Sequence, residues 1–279
     1  MIEVAPLTPV IGAEVSGVDW SSPLPDEVLA AVHKALLDHQ VLVLRGARLT
    51  PDEHIRLGER LGEVEVHTFF PNLGEGHERV SVLDSRDGTG ASMWHSDETF
   101  LSRPPMGTIL HAQVIPPSGG DTCWASMTAA YDALSPSMKR YLDGMTAEHG
   151  LSRIAEMRHR HGSASMAEVG AAIAEDQRSA HPVVRRHPDT GAPSLFVNPT
   201  YTRWLNGVPE DEGEVILRLL FAHAVNERFV YRHRWTDGDL VIWDNRATMH
   251  IALGGFEGHR RMHRVSVLDA VPPVGASLS

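Results

Sequence analysis

An imidazole and a carboxylate two residues apart project to one face of an extended chain, where they can chelate a divalent metal. The chain has two His-x-Asp sets of this kind, His95-Ser96-Asp97 and His187-Pro188-Asp189. With 17 histidines in 279 residues and a similar number of aspartates, chance alone supplies about one, so surroundings must separate them. His187-Pro188-Asp189-Thr190-Gly191 has the composition of a hairpin loop between two strand-like runs. WHSDETF, residues 94–100, lacks it and brackets its pair with Trp94 and Phe100, large apolar groups that can wall off a site. His95 and Asp97 are therefore the metal candidates. His159 and His161, in RHRHG, read as a solvated polar segment.

Two histidines and one carboxylate on a triangular face leave coordination positions open, the arrangement of non-haem Fe(II) oxygen chemistry. The third ligand should come from a strand distant in sequence. The stretch WDNRATMHIALGGFEGHRRMHRVSV, residues 243–267, offers His250 after a strand and a polar turn. In RRMHRVSV, Arg260, Met262 and Arg264 share one strand face, and Arg261, His263 and Val265 the other. If the first face looks into a barrel, two buried guanidiniums need anionic partners. No acidic residue on that strand offers itself, and a bound carboxylate suits an arginine fork.

These groups must be held by many short strands. Strand-like runs occur at 41–46, 79–84, 107–115, 122–126, 181–187, 194–198, 229–235, 239–245 and 260–270. PPSGGD joins the third and fourth, so 107–126 reads as a hairpin, and PDTGAP makes a second from 181–187 and 194–198. Apolar spacing predicts helices over 26–40 and 210–226, and Thr50-Pro51 caps another over 51–62. Residues 127–145 read as two short helices broken at Ser135-Pro136, and 150–180 as a helical or mobile insert. Strands in hairpins with peripheral helices favour a mainly β, double-stranded β-helix (jelly roll) in one domain over 1–279. No GxGxxG follows a strand, so a dinucleotide fold has no support.

Net charge is −11, with 25 basic and 36 acidic residues. This disfavours a nucleic-acid or anionic-membrane partner, which would want a basic footprint. Cys123 is the single cysteine, so no internal disulfide forms, and its place inside a strand reads as packing. The first twenty residues lack a basic start and an apolar core, and no long apolar run suggests a membrane span. A cytoplasmic protein is expected.

In order, PLTPVIGAEVSGVDW, HQVLVLRG, LGEVEVHTFFPN, WHSDETF, PPSGGDTCWASM, HPVVRRHPDTG with LFVNPTYT, WDNRATMH and HRRMHRVSV run through nearly the whole chain. This set resembles the taurine dioxygenase/2,4-D dioxygenase family of Fe(II)- and 2-oxoglutarate-dependent oxygenases. The resemblance implies that His95, Asp97 and His250 hold Fe(II), and that Thr122 and Arg260 hold the distal carboxylate of 2-oxoglutarate. It also implies that Arg264 lies near both cosubstrate and the anionic group of the substrate, and that His67 lines the substrate pocket with Phe70, Glu98 and Tyr201. Anchoring the match on MHR selects Arg260, whereas anchoring it on His250 selects Arg261; the face shared with Arg264 favours Arg260.

Three positions depart from the taurine enzyme: Phe70 stands for a tyrosine, Ala91 for an asparagine, and Glu98 for a small apolar residue. They disfavour taurine and leave the iron and cosubstrate positions intact. The implied reaction consumes O2 and 2-oxoglutarate, hydroxylates a small anionic or amino-acid-like metabolite (or cleaves it oxidatively after hydroxylation), and yields succinate and CO2. A homodimer or homotetramer is implied as well. The competing readings are a zinc-dependent hydrolase, for which no HExxH is present, and a non-catalytic binding module on the same barrel.

Overall fold

The computed structural model describes residues 2–276 apart from 21, 68–69, 88–92, 156–164, 166, 168–170 and 172–174. Its main sheet has seven strands in the order β1-β2-β3-β13-β5-β15-β4. These are β1 (Glu3–Pro6), β2 (Ala13–Ser16), β3 (Val41–Leu44), β13 (Leu240–Asp244), β5 (Pro105–Val114), β15 (Arg261–Leu268) and β4 (Ser81–Asp84). Facing it is a three-stranded sheet of β12 (Val230–His233), β6 (Thr122–Ser126) and β14 (Thr248–Ala252), with β6 central. Together they form the jelly roll.

The main sheet is apolar on both faces, which is why VLVL in β3 is continuous rather than alternating. Val41, Val43, Val241, Trp243, Leu110 and Met262 pack inward against Trp124 and Tyr231 of the facing sheet. Leu42, Leu44, Leu240, Ile242, Ile109 and Val265 pack outward under α1 (Asp26–His39) and α2 (Pro51–Leu61). Thr50 caps α2 in a reciprocal capping box with Glu53. Close approach of α2 depends on Gly58, where a Cβ would meet Val265 Cγ1 at 2.7 Å.

The 107–126 hairpin does not form. β5 pairs with β13 and β15, whereas β6 pairs with β12 and β14. Both strands are almost wholly buried, so each needs strand neighbours on two sides and layers above and below. The turn between them crosses from one sheet to the other, with Gly119 and Gly120 at φ 76° and 70°. The second hairpin forms between β9 (Val184–Arg186) and β10 (Pro193–Leu195). The two short helices are α3 (Met127–Asp132) and α4 (Pro136–Leu142), the latter capped by Ser135, and α5 spans Glu210–Ala224.

Most of the expected insert at 150–180 lies outside the described residues, as do His159 and His161. Its base is tied down. Asp176 accepts hydrogen bonds from Ser152 N, Ser152 Oγ and Arg203 Nη1, each at 2.7 Å.

Three histidines lie between α2 and the main sheet. His54 stands edge-on to His111 at 5.9 Å, and His111 is the cross-strand partner of His263. Burial, chiefly, pushes them down to about 3, 4 and 4 respectively. The unfolded chain therefore takes up protons first as pH falls below about 6.5, so their contribution is complete above that pH and is lost toward pH 4. In the metal-free protein, the denaturant midpoint should fall between pH 7 and pH 5, and His263→Gln should reduce the slope by up to about one proton. A midpoint independent of pH over this window would contradict the neutral, buried assignment.

Candidate active site

His95 and His250 exchange both backbone hydrogen bonds, His95 N to His250 O at 2.9 Å and His250 N to His95 O at 2.7 Å. They form a hydrogen-bonded antiparallel pair at the outer side of β14, the geometry that puts two side chains on one face. Their ring centroids are 4.1 Å apart. His95 Nδ1 donates to the Met93 carbonyl at 2.9 Å, which turns Nε2 toward Asp97. Oδ1 of Asp97 lies 3.6 Å from His95 Nε2 and 3.7 Å from His250 Nε2.

Asp97 leaves the strand in a turn, and Asn245 fixes its main chain. Asn245 Oδ1 accepts from Asp97 N at 2.6 Å, and its Nδ2 donates to Asp97 O and Pro105 O at 3.0 Å each. Thr108 Oγ1 donates to Asp97 Oδ2 at 2.9 Å, leaving Oδ1 toward the histidines. Ser96 Oγ donates to Thr248 O at 2.7 Å. The sequence reading missed Asn245 and Thr108; the polar turn WDNR before His250 was the available signal for the first.

Burial lowers the pKa of both histidines, His250 to about 3 with His95 adding to the effect. Burial opposes ionisation of Asp97, but Arg264, the two imidazoles and the Thr108 hydroxyl outweigh it and hold the carboxyl well below its usual range. Two neutral imidazoles and one carboxylate are the protonation states that metal ligation needs. Their donor atoms lie within 4.8 Å of one another, and among the described residues no other group of three potential ligands comes together this way. The set fits a divalent metal held on one face.

Arg260 and Arg264 are both buried on the inward side, with Met262 between them fully enclosed. Arg260 donates from Nε to Gly120 O at 3.0 Å and from Nη2 to Thr122 Oγ1 at 3.5 Å. Trp235 Nε1 donates to the same hydroxyl at 2.9 Å. No carboxylate pairs with Arg260 among the described residues; Asp121 nearby is taken by Arg232 at 2.7 Å. Burial accordingly pulls the guanidinium down to about 10. Arg261, on the other face, is half-buried.

Arg264 departs from the expectation that the strand's arginines lack carboxylate partners. Its Nη1 lies 3.7 Å from Asp97 Oδ1 and its Nη2 3.9 Å from Glu98 Oε1. Those acids come from another segment, which inspection of the strand alone does not reveal. Around it, His67 Nε2 contacts Glu98 Oε1, the Phe70 ring lies tilted at 4.7 Å from that of His67, and the Tyr201 ring lies 6.4 Å from that of His95. Burial and the charges of Asp97 and Glu98 push the Tyr201 phenol up, so it stays neutral. Glu65, also missed, is pushed up to about 7 by burial and by Glu98. Ala91 lies outside the described residues.

The second His-x-Asp pair sits in its turn. His187 Nε2 meets Asp244 Oδ2 at 2.9 Å, and its Nδ1 accepts the amides of Asp189 and Thr190 at 3.2 Å. Asp189 pairs with Arg246 at 2.9 Å. Neither side chain joins a metal-ligand cluster.

The family model for the taurine catabolism dioxygenase TauD, TfdA family matches residues 3–266. An alkylsulfatase of Acinetobacter baylyi is 31% identical over 274 residues, covering 97% of this chain and 86% of the relative. An alpha-ketoglutarate-dependent 2,4-dichlorophenoxyacetate dioxygenase of Cupriavidus pinatubonensis is 31% identical over 288 residues, covering 95% and 96%. The crystal structure of a taurine dioxygenase from Burkholderia xenovorans superposes with a TM-score of 0.85 at 32% identity, covering 98% of this chain and 91% of that one. The chain belongs to the TauD, TfdA family. It is a non-haem iron dioxygenase using 2-oxoglutarate and O2, and the hydrolase and binding-module readings give way to that. No helix among the described residues is long and apolar enough to cross a membrane.

Anaerobic addition of Fe(II) and 2-oxoglutarate should produce a visible charge-transfer band. Asp97→Ala should abolish it. Asn245→Ala should lower metal affinity by about 10–100-fold, as loss of a group orienting a ligand does, and Asp189→Ala should leave affinity near wild type. Equal losses in the Asp97 and Asp189 variants would sink the choice between the two pairs.

Proposed function

We propose that His95, Asp97 and His250 hold Fe(II), that Arg260 and Thr122 hold the distal carboxylate of 2-oxoglutarate, and that the enzyme hydroxylates a small anionic or amino-acid-like metabolite. The observation that carries the cosubstrate assignment is Arg260 itself, a buried guanidinium without a carboxylate partner among the described residues. Such a cation is costly to bury alone, and a dicarboxylate supplies the missing anion. The alkylsulfatase and 2,4-dichlorophenoxyacetate relatives support a small acid as substrate.

Iron, 2-oxoglutarate and O2 together supply a two-electron oxidant that puts one oxygen atom into a substrate C–H bond and the other into succinate, with loss of CO2. The chain's residues position and exclude water. Thr108 and Asn245 aim one carboxylate oxygen of Asp97 at the metal face. The Thr122 hydroxyl, oriented by the Trp235 indole, and the Arg260 guanidinium fix the far end of the cosubstrate. Phe70, Tyr201 and Phe100 enclose the substrate side, and a near-attack arrangement depends on that fit.

Removing one partner of a desolvated charge pair costs about 2–5 kcal/mol, and about 1.4 kcal/mol is a factor of ten. Arg260→Ala should therefore raise the 2-oxoglutarate requirement for succinate release by more than about tenfold. Arg261→Ala should change it little. The reverse order would transfer the cosubstrate anchor to Arg261.

A further inference from the structure

The second His-x-Asp copy takes no part in the metal face, yet its histidine is more deeply buried than His95 or His250. The bonds of its ring fix where the proton sits. Nδ1 accepts the amides of Asp189 and Thr190 at 3.2 Å each. The proton is therefore on Nε2, which donates to Asp244 Oδ2 at 2.9 Å. One end of the ring holds the β9–β10 turn, and the other holds a carboxylate on β13.

That carboxylate is 1% exposed and fully occupied. Oδ1 accepts from Arg246 N and Nε at 2.9 Å each, and Oδ2 from Arg246 Nη2 at 2.8 Å and from His187. Four donors fill its four lone-pair sites, so losing one leaves a buried acceptor unpaired. The residues on either side of Asn245 are thus clamped to each other, and Asn245 N is tied to Met106 O at 2.9 Å. The Asn245 side chain then has one aim, the main chain of Asp97 and Pro105. A metal site tolerates misplacement of a ligand by only about 0.5 Å, so slack in this turn passes to the Asp97 carboxylate. Asp189 is the weaker brace. It reaches Arg246 at 2.9 Å, but its side chain is 39% exposed, where an ion pair contributes little.

We propose that His187 is a positioning residue for the metal site, acting through Asp244 and Asn245 on Asp97. This rests on the metal-face reading above and deepens it. Two substitutions separate the two ends of the ring. His187→Asn keeps a short acceptor for the turn amides, as asparagine does in such turns, but cannot reach Asp244. His187→Gln carries an N–H to the place of Nε2 and gives up the turn amides. Binding of Mn(II) to metal-free protein is read from the paramagnetic resonance signal of the free ion.

His187→Asn should lower Mn(II) affinity about tenfold, the lower end of what loss of a ligand-orienting group costs. His187→Gln should stay within about threefold of wild type. In an Asn245→Ala background, His187→Asn should cost less than about twofold more, because the path is already cut. Arg246→Lys keeps the charge but loses the two-pronged hold on Asp244. It should behave as His187→Asn does, and it carries the test if that variant fails to fold. Affinity that survives His187→Asn, or that His187→Gln loses as heavily, makes the histidine a hairpin residue only and overturns the proposal. Losses that multiply in the double variant overturn it too, since they mark general destabilisation. Wild-type protein that binds no Mn(II) refutes the metal face beneath it.

Discussion

Two main-chain hydrogen bonds, those exchanged by His95 and His250, set the conditions for the rest of the site. They join segments that lie far apart in sequence, so the metal face comes into being only when the barrel closes. The same junction holds Asp97, the third of the proposed ligands. Asn245, in the turn just before β14, grips Asp97 through its amide and carbonyl, and Ser96 bonds to Thr248. Residues 95–97 and 244–250 thus form one contact in which each of the three proposed ligands is fixed by a group from the opposite segment. Binding of a metal there draws on folding free energy already expended in making the barrel.

The second constraint is how buried charge is distributed. Strand parity puts Arg260 and Arg264 on one face, yet their surroundings differ. At one end of the strand, Arg260 meets only a carbonyl, a hydroxyl and the Trp235 ring. Near the middle, Arg264 meets Asp97 and Glu98 and lies over Phe70. A buried guanidinium without a carboxylate is suited to receive one, as proposed for Arg260; a guanidinium already beside two has that need met within the chain. Identical side chains two turns of the pleat apart therefore do different work, and the difference lies in the residues brought to them from 63–67, 97–98 and 119–122.

Much of this was legible in the sequence because it is local. The Thr50-Pro51 cap, the two-faced apolar strands and the parity of Arg260, Met262 and Arg264 depend on residues within a few positions of each other, and the folded chain obeys them. The HxD-to-HRRMHR order extended that reading to His250. What escaped was non-local pairing. A hairpin over 107–126 is reasonable from two strands and a GG turn, but nothing within those twenty residues reveals that each strand has two other partners. β14 itself, TMHIA over Thr248–Ala252, does not stand out as a strand around His250 because its apolar run is short and its polar start reads as turn. The acids that meet Arg264 were hidden for the same reason.

The two His-x-Asp copies show how little spacing alone determines. In the first, Asp97 is held by Asn245 and Thr108 so that one oxygen faces two imidazoles. In the second, Pro188 and Gly191 curl the chain until the histidine ring accepts the amides of its own turn, and the aspartate swings out to Arg246. Yet the second copy is not idle. His187 bonds Asp244, and Arg246 is fastened to both Asp244 and Asp189. Asn245 sits between those two anchored residues. The turn that positions Asp97 of the first pair is thereby braced by the side chains of the second.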